Sequence, residues 1–375
     1  MNGQEKHIPD AVRKAVILIP SLEPDERLPA YIQKLSESGF GHIVVVDDGS
    51  SEAYQPIFKE VEGVDRAVVL HHDVNHGKGV ALKTGYKYIL DNLPDVVGVI
   101  TADADGQHTV PDCIRLAEEI GKGEKALYLG SRDFSLENIP PKSRSGNKIT
   151  SVVFKLLYGQ YLPDTQTGLR AFRREELPFM INVEGERFEY EMKVLIACSR
   201  AGIPMIPVTI ETIYENENKG THFHPIKDSW KIYKVILGSF FKFMGASIIS
   251  FLADHLLFNL FSGWLFPLLG IHLNVSLPLG IHLDNTSLAN YTARLFSAIL
   301  NFRLNKDMVF KVRGSKGAGW RYALVAVGIV ILSTLGIKGL GKLGMAPWLA
   351  KVIVDTLLYF VSYRVQQQWV FKEEA

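Results

Sequence analysis

The stretch Val97–Gln107, with the sequence VGVITADADGQ, decides the fold. It begins as a short apolar run rich in β-branched residues, which is typical of a buried strand, and it ends in two carboxylates and a glycine. Because side chains two positions apart in an extended chain point the same way, Asp103 and Asp105 can face one point, and the amide oxygen of Gln107 can join them. The pattern therefore predicts a strand whose carboxyl end opens into a site.

This set of hard oxygen ligands suits Mg²⁺ or Mn²⁺, which prefer carboxylates, waters and substrate phosphates. An acidic turn after a strand has the same short pattern, and one pair of aspartates is weak evidence for a metal site on its own. The surrounding sequence has to decide between the two interpretations.

Three more apolar runs precede this stretch, and polar residues follow each of them. The runs are Ala15–Pro20, His42–Val46 and Ala67–Leu70. Segments with helical spacing lie among the runs, so the alternation predicts an α/β domain with a mostly parallel sheet flanked by helices. Ligands of such sheets bind at the carboxyl ends of the strands. Two pairs of aspartates fall at such ends, namely Asp47 with Asp48 and Asp103 with Asp105.

The composition changes along the 375 residues. Charged residues crowd positions 1–235, whereas long apolar runs dominate after them. We therefore predict a soluble domain over 1–226, an amphipathic interfacial segment over 227–242 and a membrane domain over 243–375. The net charge of +1 gives nucleic-acid binding no global electrostatic support, so we expect no nucleic-acid partner.

The membrane domain is predicted to be all-α with four spans, because about 20 apolar residues cross a bilayer as a helix. The spans are Phe243–Leu269, Ser287–Val309, Tyr322–Leu340 and Ala346–Val365. The loop 267–292 contains no lysine or arginine, whereas the stretch 303–321 contains six. Positive residues favour the cytoplasmic side, so we expect a multi-pass protein of the cell membrane with the soluble domain and both termini in the cytoplasm.

Two aspartates, Asp254 and Asp355, fall inside the predicted spans, where a charge is costly unless it faces a partner. Roles in lipid handling and in helix pairing are both compatible with their positions. The region also repeats itself, since Asn301–Lys311 resembles Ser362–Lys372, 61 residues later. Two helical hairpins that each end in a basic interfacial tail would produce this repeat.

The soluble domain resembles the family 2 glycosyltransferases of GT-A fold, most closely their dolichyl-phosphate mannose synthase and polyprenyl-phosphate glycosyltransferase branch. Seven motifs occur in the order of that family. They are Ile19–Pro20 with the acidic turn after it, Val46–Ser50, Asn75–Gly85, Asp103–His108, Gly130–Arg132, Asp164–Gly168 and Phe188–Glu191. The membrane region resembles the small four-span GtrA family, which some polyprenyl-phosphate mannose synthases carry as a domain.

The resemblance implies roles for particular residues. The metal would bind to Asp103, Asp105 and Gln107. The catalytic residues would be Asp164, Gln166 and Asp105. The nucleotide sugar would contact Pro20, Leu22, Val46, Asp47, Asp48, Asn75, Lys78, Ala102, Asp103, Arg132, Lys219 and His222. A solvated loop is the alternative for the last two residues.

By the same resemblance, we expect Asp164 to orient the acceptor or to accept its last proton. The loop after Pro20 departs from the family, which has a tyrosine, an asparagine and a glutamate there, whereas this chain has Leu22, Glu23 and Pro24. Contacts of that loop with the nucleotide base therefore differ from the family pattern.

A lipid acceptor is suggested by two basic amphipathic segments with aromatic residues, Gly146–Tyr158 and Lys227–Phe243. Such segments are typical of helices at a membrane surface, although a helix packed on the sheet is an equally good interpretation of the first one. The acceptor phosphate would bind to Arg132, Arg144 and Lys148, because the planar guanidinium of arginine suits a two-point grip on phosphate.

The function that the resemblance implies is inverting transfer of a hexosyl group from a nucleotide sugar to a membrane polyprenyl phosphate. The donor would be of the GDP-mannose or UDP-glucose type, and the acceptor a dolichyl or undecaprenyl phosphate. One alternative is a processive polysaccharide synthase, but Gln366–Trp369 lacks the arginine of the Gln-x-x-Arg-Trp motif of those enzymes. Another is a non-catalytic flippase or anchor for a lipid-linked sugar. The expected partners are a nucleotide sugar, polyprenyl phosphate and the bilayer, and a homo-oligomer is compatible with the sequence.

Overall fold

The computed structural model describes residues 8–134, 141–211, 225–272, 274–277, 281–310 and 317–371. The chain divides into two compact units, Met1–Ile236 and Leu237–Ala375. The division falls within the long helix Pro225–Leu260, so this helix contributes residues to both units.

A seven-stranded sheet forms the centre of the first unit. Its strands are β1 Ala15–Ser21, β2 His42–Asp47, β3 Ala67–His71, β4 Gly98–Thr101, β5 Leu127–Arg132, β6 Arg170–Arg173 and β7 Met205–Ile210. Their order across the sheet is β3-β2-β1-β4-β6-β5-β7. Strand β6 runs antiparallel to its neighbours β4 and β5, while the other neighbouring strands are parallel. This mostly parallel α/β architecture confirms the predicted fold class.

Helices precede, connect and follow these strands. They are α1 Asp10–Arg13, α2 Leu28–Glu37, α3 Gln55–Glu62, α4 Lys78–Asn92, α5 Val110–Gly121, α6 Pro141–Tyr158, α7 Leu177–Asn182, α8 Glu189–Ala201 and α9 Pro225–Leu260. Strand β1 is buried along Val16–Ile19, as expected for a central strand covered on both faces. Helix α4 packs closely against it, because a Cβ atom at Gly85 would lie 2.2 Å from Cδ1 of Leu18. This packing fixes the first residue of α4, Lys78, relative to the end of β1.

The second unit is mostly helical. After α9 come α10 Phe266–Leu268, α11 Asn285–Leu304, α12 Ala318–Lys342 and α13 Pro347–Val365. Among the described residues, two segments are long and apolar enough to cross a membrane, Ile232–Leu268 and Ala318–Lys342. The other two predicted spans coincide with α11 and α13, so their helical structure is as expected. That all four helices cross the membrane stays a prediction.

A short hairpin departs from the predicted all-α membrane domain. Strands β8 Asn274–Leu277 and β9 Ile281–Asp284 pair antiparallel, with Asn274 opposite Asp284. Their sequences, NVSL and IHLD, alternate polar and apolar residues, which is the two-residue period of a strand. This alternation is typical of short strands, which are not recognised when only long apolar runs are considered.

Candidate active site

The turn after β4 brings the two aspartates of the opening stretch to the carboxyl edge of the sheet. The amide of Ala102 donates to the carbonyl of Leu18 over 3.0 Å, which extends the pairing of β4 with β1 by one residue. The chain then turns sharply, because Gly106 has a φ of +71° and the carboxylate of Asp105 accepts from the amide of Gln107 over 3.0 Å. The structure therefore holds the predicted metal ligands within one tight turn.

Asp103 lies in a cluster of charged groups from three other parts of the chain. Lys78, at the start of α4, donates to Oδ1 of Asp103 over 2.7 Å and lies 3.0 Å from Oε1 of Glu191, in α8. Nε2 of His108 lies 3.2 Å from Oδ2 of Asp103. The lysine ammonium thus bridges two carboxylates at the edge of the sheet.

The pKa values in this cluster shift with its charges. Burial alone would raise the pKa of Asp103, but attraction to Lys78 and the contact with His108 hold it well below its usual value. Burial alone would lower the pKa of Lys78, but Asp103 and Glu191 raise it above its usual value. Burial raises the pKa of Asp105, and the charge of Asp103 adds to this shift. The charged form of Asp105 is therefore disfavoured, and a cation beside it would stabilise that form.

The loop that contains Asp164 packs directly on the end of β4. The hydroxyl of Thr101 donates to the carbonyl of Gly168 over 2.8 Å. A Cβ atom at Gly168 would lie 2.4 Å from Oδ2 of Asp103, so a glycine is required for this approach. The loop 163–168 and the turn 102–107 therefore form one surface.

The buried Asp164 forms an ion pair with the partly exposed Arg132, the last residue of β5. Nε of Arg132 donates to Oδ2 over 2.6 Å, and Nη2 donates to Oδ1 over 3.2 Å. The amide of Gln166 also donates to Oδ1, over 3.0 Å. The structure brings a predicted catalytic carboxylate and a predicted phosphate-binding arginine together, whereas the side chain of Gln166 is exposed.

Asp47 and Asp48 are both buried and hydrogen-bonded within the protein. Asp47 accepts from the amide of Ser50 over 2.8 Å and from Nε2 of Gln55 over 3.2 Å. Asp48 accepts from the amides of His76 and Gly77 over 3.0 and 2.7 Å. Asp48 therefore fixes the loop before α4 to the end of β2, which is a structural role that the sequence analysis did not assign to it.

Two histidines at the end of β3 complete the surroundings of these aspartates. Nδ1 of His71 lies 3.0 Å from Oδ2 of Asp47, and Nδ1 of His72 lies 2.8 Å from Oδ1 of Asp48. Neither histidine is among the site residues predicted from the sequence. Their position directly after the apolar run Ala67–Leu70 is the signal that would have found them, because strand ends carry the site of this fold.

The remaining predicted site residues differ in their exposure. Pro20 pairs with the buried Val46 across β1 and β2, and Ala102 is buried beside them in the sheet. Four residues are exposed, namely Leu22, Asn75, Arg144 and Lys148. Lys219 and His222 lie outside the described residues.

Helix α6 contains the segment Gly146–Tyr158, for which the sequence allows a helix at a membrane surface or a helix packed on the sheet. The structure shows features of both. Phe154 and Leu157 are buried, so one face packs in the first unit. The opposite face exposes the apolar side chains of Ile149, Val152 and Leu156. The helix is therefore packed on the domain and also presents an apolar stripe to its surroundings.

The first unit is thus an α/β domain with an acidic site at the carboxyl edge of its sheet, and a mostly helical unit follows it. Residues 17–177 match the family model described as "Glycosyl transferase family 2", and residues 276–371 match the model "GtrA/DPMS, transmembrane domain". The chain belongs to glycosyl transferase family 2 and carries a GtrA/DPMS transmembrane domain, so it is a glycosyltransferase associated with a membrane. The predicted family resemblance is confirmed for both domains.

Three curated relatives are similar to between 52% and 60% of the chain. An uncharacterised protein of Methanocaldococcus jannaschii is 31% identical over 229 residues, which cover 60% of this chain and 92% of that protein. The UDP-N-acetylglucosamine–dolichyl-phosphate N-acetylglucosaminyltransferase of Methanococcus voltae is 28% identical, over 53% of this chain and 85% of that protein. A dolichyl-phosphate beta-glucosyltransferase of Trichomonas vaginalis is 25% identical, over 52% of this chain and 64% of that protein.

Proposed function

We propose that the protein transfers a hexosyl group from a nucleotide sugar to a membrane polyprenyl phosphate, with inversion of the anomeric carbon, at the cytoplasmic face of the membrane. One observation carries the proposal. The aspartate pair Asp103 and Asp105 ends β4 in a family 2 glycosyltransferase that continues into a GtrA/DPMS transmembrane domain. The names of two relatives combine dolichyl phosphate with two different sugars, which supports the lipid acceptor more than any one donor.

A divalent cation, Mg²⁺ or Mn²⁺, fits this site together with the donor. Among the described residues, no three His, Cys, Asp or Glu side chains come together as metal ligands. Asp103, Asp105 and Gln107 supply hard oxygen ligands, and diphosphate oxygens of the donor would complete the set. When bound, the ion stabilises the negative charge that develops on the departing nucleoside diphosphate.

The chain's own residues hold the two substrates in line for the reaction. Lys78 would bind the donor diphosphate, and Arg132, Arg144 and Lys148 would bind the acceptor phosphate. A phosphate oxygen then attacks the anomeric carbon from the face opposite the diphosphate, and the bond between that carbon and the diphosphate oxygen breaks. A phosphate monoester is largely ionised near neutral pH, so the attack needs little help from a general base.

The test replaces Asp105 by asparagine in the full-length protein. We expect Asp105→Asn to lower the transfer rate at least about a hundredfold, because it removes a ligand charge from a position where charge develops. The measurement is transfer of labelled sugar from a panel of nucleotide sugars to polyprenyl phosphate in detergent, with and without EDTA.

The matched control is Asp95→Asn, which makes the same change in an exposed residue before the opposite end of β4. It should leave the rate unchanged. Wild-type rates for Asp105→Asn, or a wild-type enzyme that EDTA does not inhibit, would contradict the metal site. No transfer to polyprenyl phosphate from any donor would contradict the proposed acceptor.

A further inference from the structure

The carboxylate of Asp164 is fully enclosed by the protein. Its side chain is 0% exposed, and its two oxygens accept three hydrogen bonds, from Nε and Nη2 of Arg132 and from the amide of Gln166. A general base has to come within hydrogen-bond distance of the proton that it removes, directly or through one water. Asp164 instead directs both oxygens at Arg132 and at its own loop.

The backbone around Asp164 is held on both sides. Nδ2 of Asn147, in α6, donates to the carbonyl of Pro163. Nε of Arg170, at the start of β6, donates to the carbonyl of Thr167 over 3.0 Å. The loop is therefore fixed to a helix before Asp164 and to a strand after it, so the carboxylate is a rigid anchor.

Arg132 is the more exposed partner of this ion pair, and the anchored carboxylate orients it. Its side chain is 34% exposed, and Cζ lies 5.2 Å from the centre of the Phe134 ring. A two-point contact through Nε and Nη2 fixes the plane of a guanidinium group as well as its position. The exposed part of Arg132 is thus held in one orientation at the carboxyl edge of the sheet.

We propose that Asp164 is a positioning residue that orients Arg132 toward the acceptor phosphate and takes no proton in the reaction. The inference rests on the proposed function, because it requires a phosphate monoester as acceptor. An oxygen of the phosphate dianion forms the new bond to the anomeric carbon, and the diphosphate leaves with the electron pair of the broken bond. The dianion carries no proton that has to be removed, so the transfer reaction needs no base.

The experiment measures kcat and KM for polyprenyl phosphate and for the nucleotide sugar, across pH, in the full-length protein. Asp164→Asn should raise the KM for polyprenyl phosphate about tenfold, because asparagine loses the charge-assisted contact with Arg132. The KM for the donor and the shape of the pH profile of kcat should not change. Asp164→Asn combined with Arg132→Lys should have nearly the effect of one change alone, since both disrupt one unit.

The matched control is another two-point ion pair in the same sheet. Nε and Nη2 of Arg173 lie 2.8 and 2.9 Å from the carboxylate oxygens of Glu175. Arg173 lies opposite Gly98, the first residue of β4, and therefore at the other edge of the sheet. Glu175→Gln should leave the KM for polyprenyl phosphate unchanged.

Two outcomes would overturn the proposal. One is a kcat that falls at least a hundredfold in Asp164→Asn with an unchanged acceptor KM, together with activity that now rises with pH. The other is fully additive effects of the two changes. Loss of nucleoside diphosphate binding would indicate that Asp164→Asn does not fold. In that case, Arg132→Gln is measured instead and tests the proposal. It should raise the KM for the acceptor, and a rise in the KM for the donor instead would reject the proposal. A wild-type protein that does not use polyprenyl phosphate would reject the proposed function itself.

Discussion

At the scale of single residues, the ammonium group of Lys78 neutralises part of the negative charge at the carboxyl edge of the sheet. Its ammonium lies 2.7 Å from Asp103 and 3.0 Å from Glu191, and attraction to both carboxylates outweighs the effect of burial on its pKa. A divalent cation that binds to Asp103 would have to share that carboxylate with an existing positive charge. The diphosphate of a donor would offer Lys78 a further anion and so relieve the competition.

We expect Lys78→Gln to bind Mn²⁺ more tightly than the wild type when no nucleotide is present, by about tenfold, because a competing charged contact is removed. The same variant should bind nucleoside diphosphate more weakly. Electron paramagnetic resonance of free Mn²⁺ and calorimetry with nucleoside diphosphate measure the two effects. Lys83→Gln is the control, since Lys83 lies in the same helix and donates to the carbonyl of Gly185. Unchanged Mn²⁺ affinity in Lys78→Gln would contradict the competition.

The sequence indicates candidate residues for this site, but it does not indicate which of them contact each other. Asp103 and Asp105 follow an apolar run and are therefore expected at a strand end. The contacts of Lys78 with Asp103 and of Arg132 with Asp164 join residues 25 and 32 positions apart. They depend on the order of strands across the sheet, which local periodicity does not contain.

At the scale of elements, β6 is the strand that the apolar pattern misses. Its sequence, RAFR, has two arginines in four residues and no apolar run. It nevertheless pairs with β4 and β5 and carries the loop 163–168 to the end of β4. Because it is antiparallel, it also lies outside the simple alternation of parallel strands and helices from which the fold class follows.

The repeat in the second unit is also an element-scale feature, and its equivalent residues meet in space. Asn305 and Gln366 are 61 positions apart, and Nδ2 of Asn305 donates to Oε1 of Gln366 over 3.2 Å. The rings of Phe310 and Phe371, again 61 apart, stack with centres 5.1 Å apart. Each member of the repeat forms a π-helical turn, Asn305–Val309 and Gln366–Val370. The equivalent ends of the two repeated segments therefore contact each other.

The aspartates inside the predicted spans are paired across helices. Asp254 accepts from the hydroxyl of Ser297 over 2.8 Å and lies 3.3 Å from Arg294. Asp355 accepts from Ser333 of α12 over 2.5 Å and also from Lys351 of its own helix α13 over 2.6 Å. Of the two roles that the sequence left open, helix pairing is the one that these contacts support.

We predict that the contact between the repeats stabilises the second unit. Asn305 is fully buried and also donates to Oδ1 of Asn301 over 2.7 Å. Asn305→Leu should lower the free energy of unfolding in detergent by about 1 kcal/mol, because the buried Gln366 and the half-buried Asn301 each lose a donor. Asn305→Leu with Gln366→Leu should cost less than the sum of the single changes. Asn259→Leu is the control, since the exposed Asn259 bonds to the carbonyl of His255 one turn away. Additive effects would show that the two amides act independently.

At the scale of the whole molecule, the proposed reaction joins a water-soluble donor to an acceptor whose tail stays in the bilayer. A catalytic domain free in solution would have to find the acceptor head group by diffusion in three dimensions. A domain linked to membrane helices stays near the head groups, which raises the effective concentration of acceptor without any new contact. The lysines of 227–242 would add about 1 kcal/mol each where they lie close to an anionic surface.

We predict that a chain shortened to end at Ile236 keeps nucleoside diphosphate binding but transfers poorly to long polyprenyl phosphates. Ile236 is the sensible end point, because the hydroxyl of Tyr158 donates to its carbonyl over 2.7 Å and the first compact unit ends there. The loss on long acceptors should be at least about tenfold, since the effective concentration is lost, and a short water-soluble prenyl phosphate should recover part of the activity. The measurement is transfer rate against acceptor chain length for both proteins. Equal rates on long acceptors would show that the membrane domain does not bring the site to its substrate, and a separate role in handling the lipid-linked product would then explain its presence better.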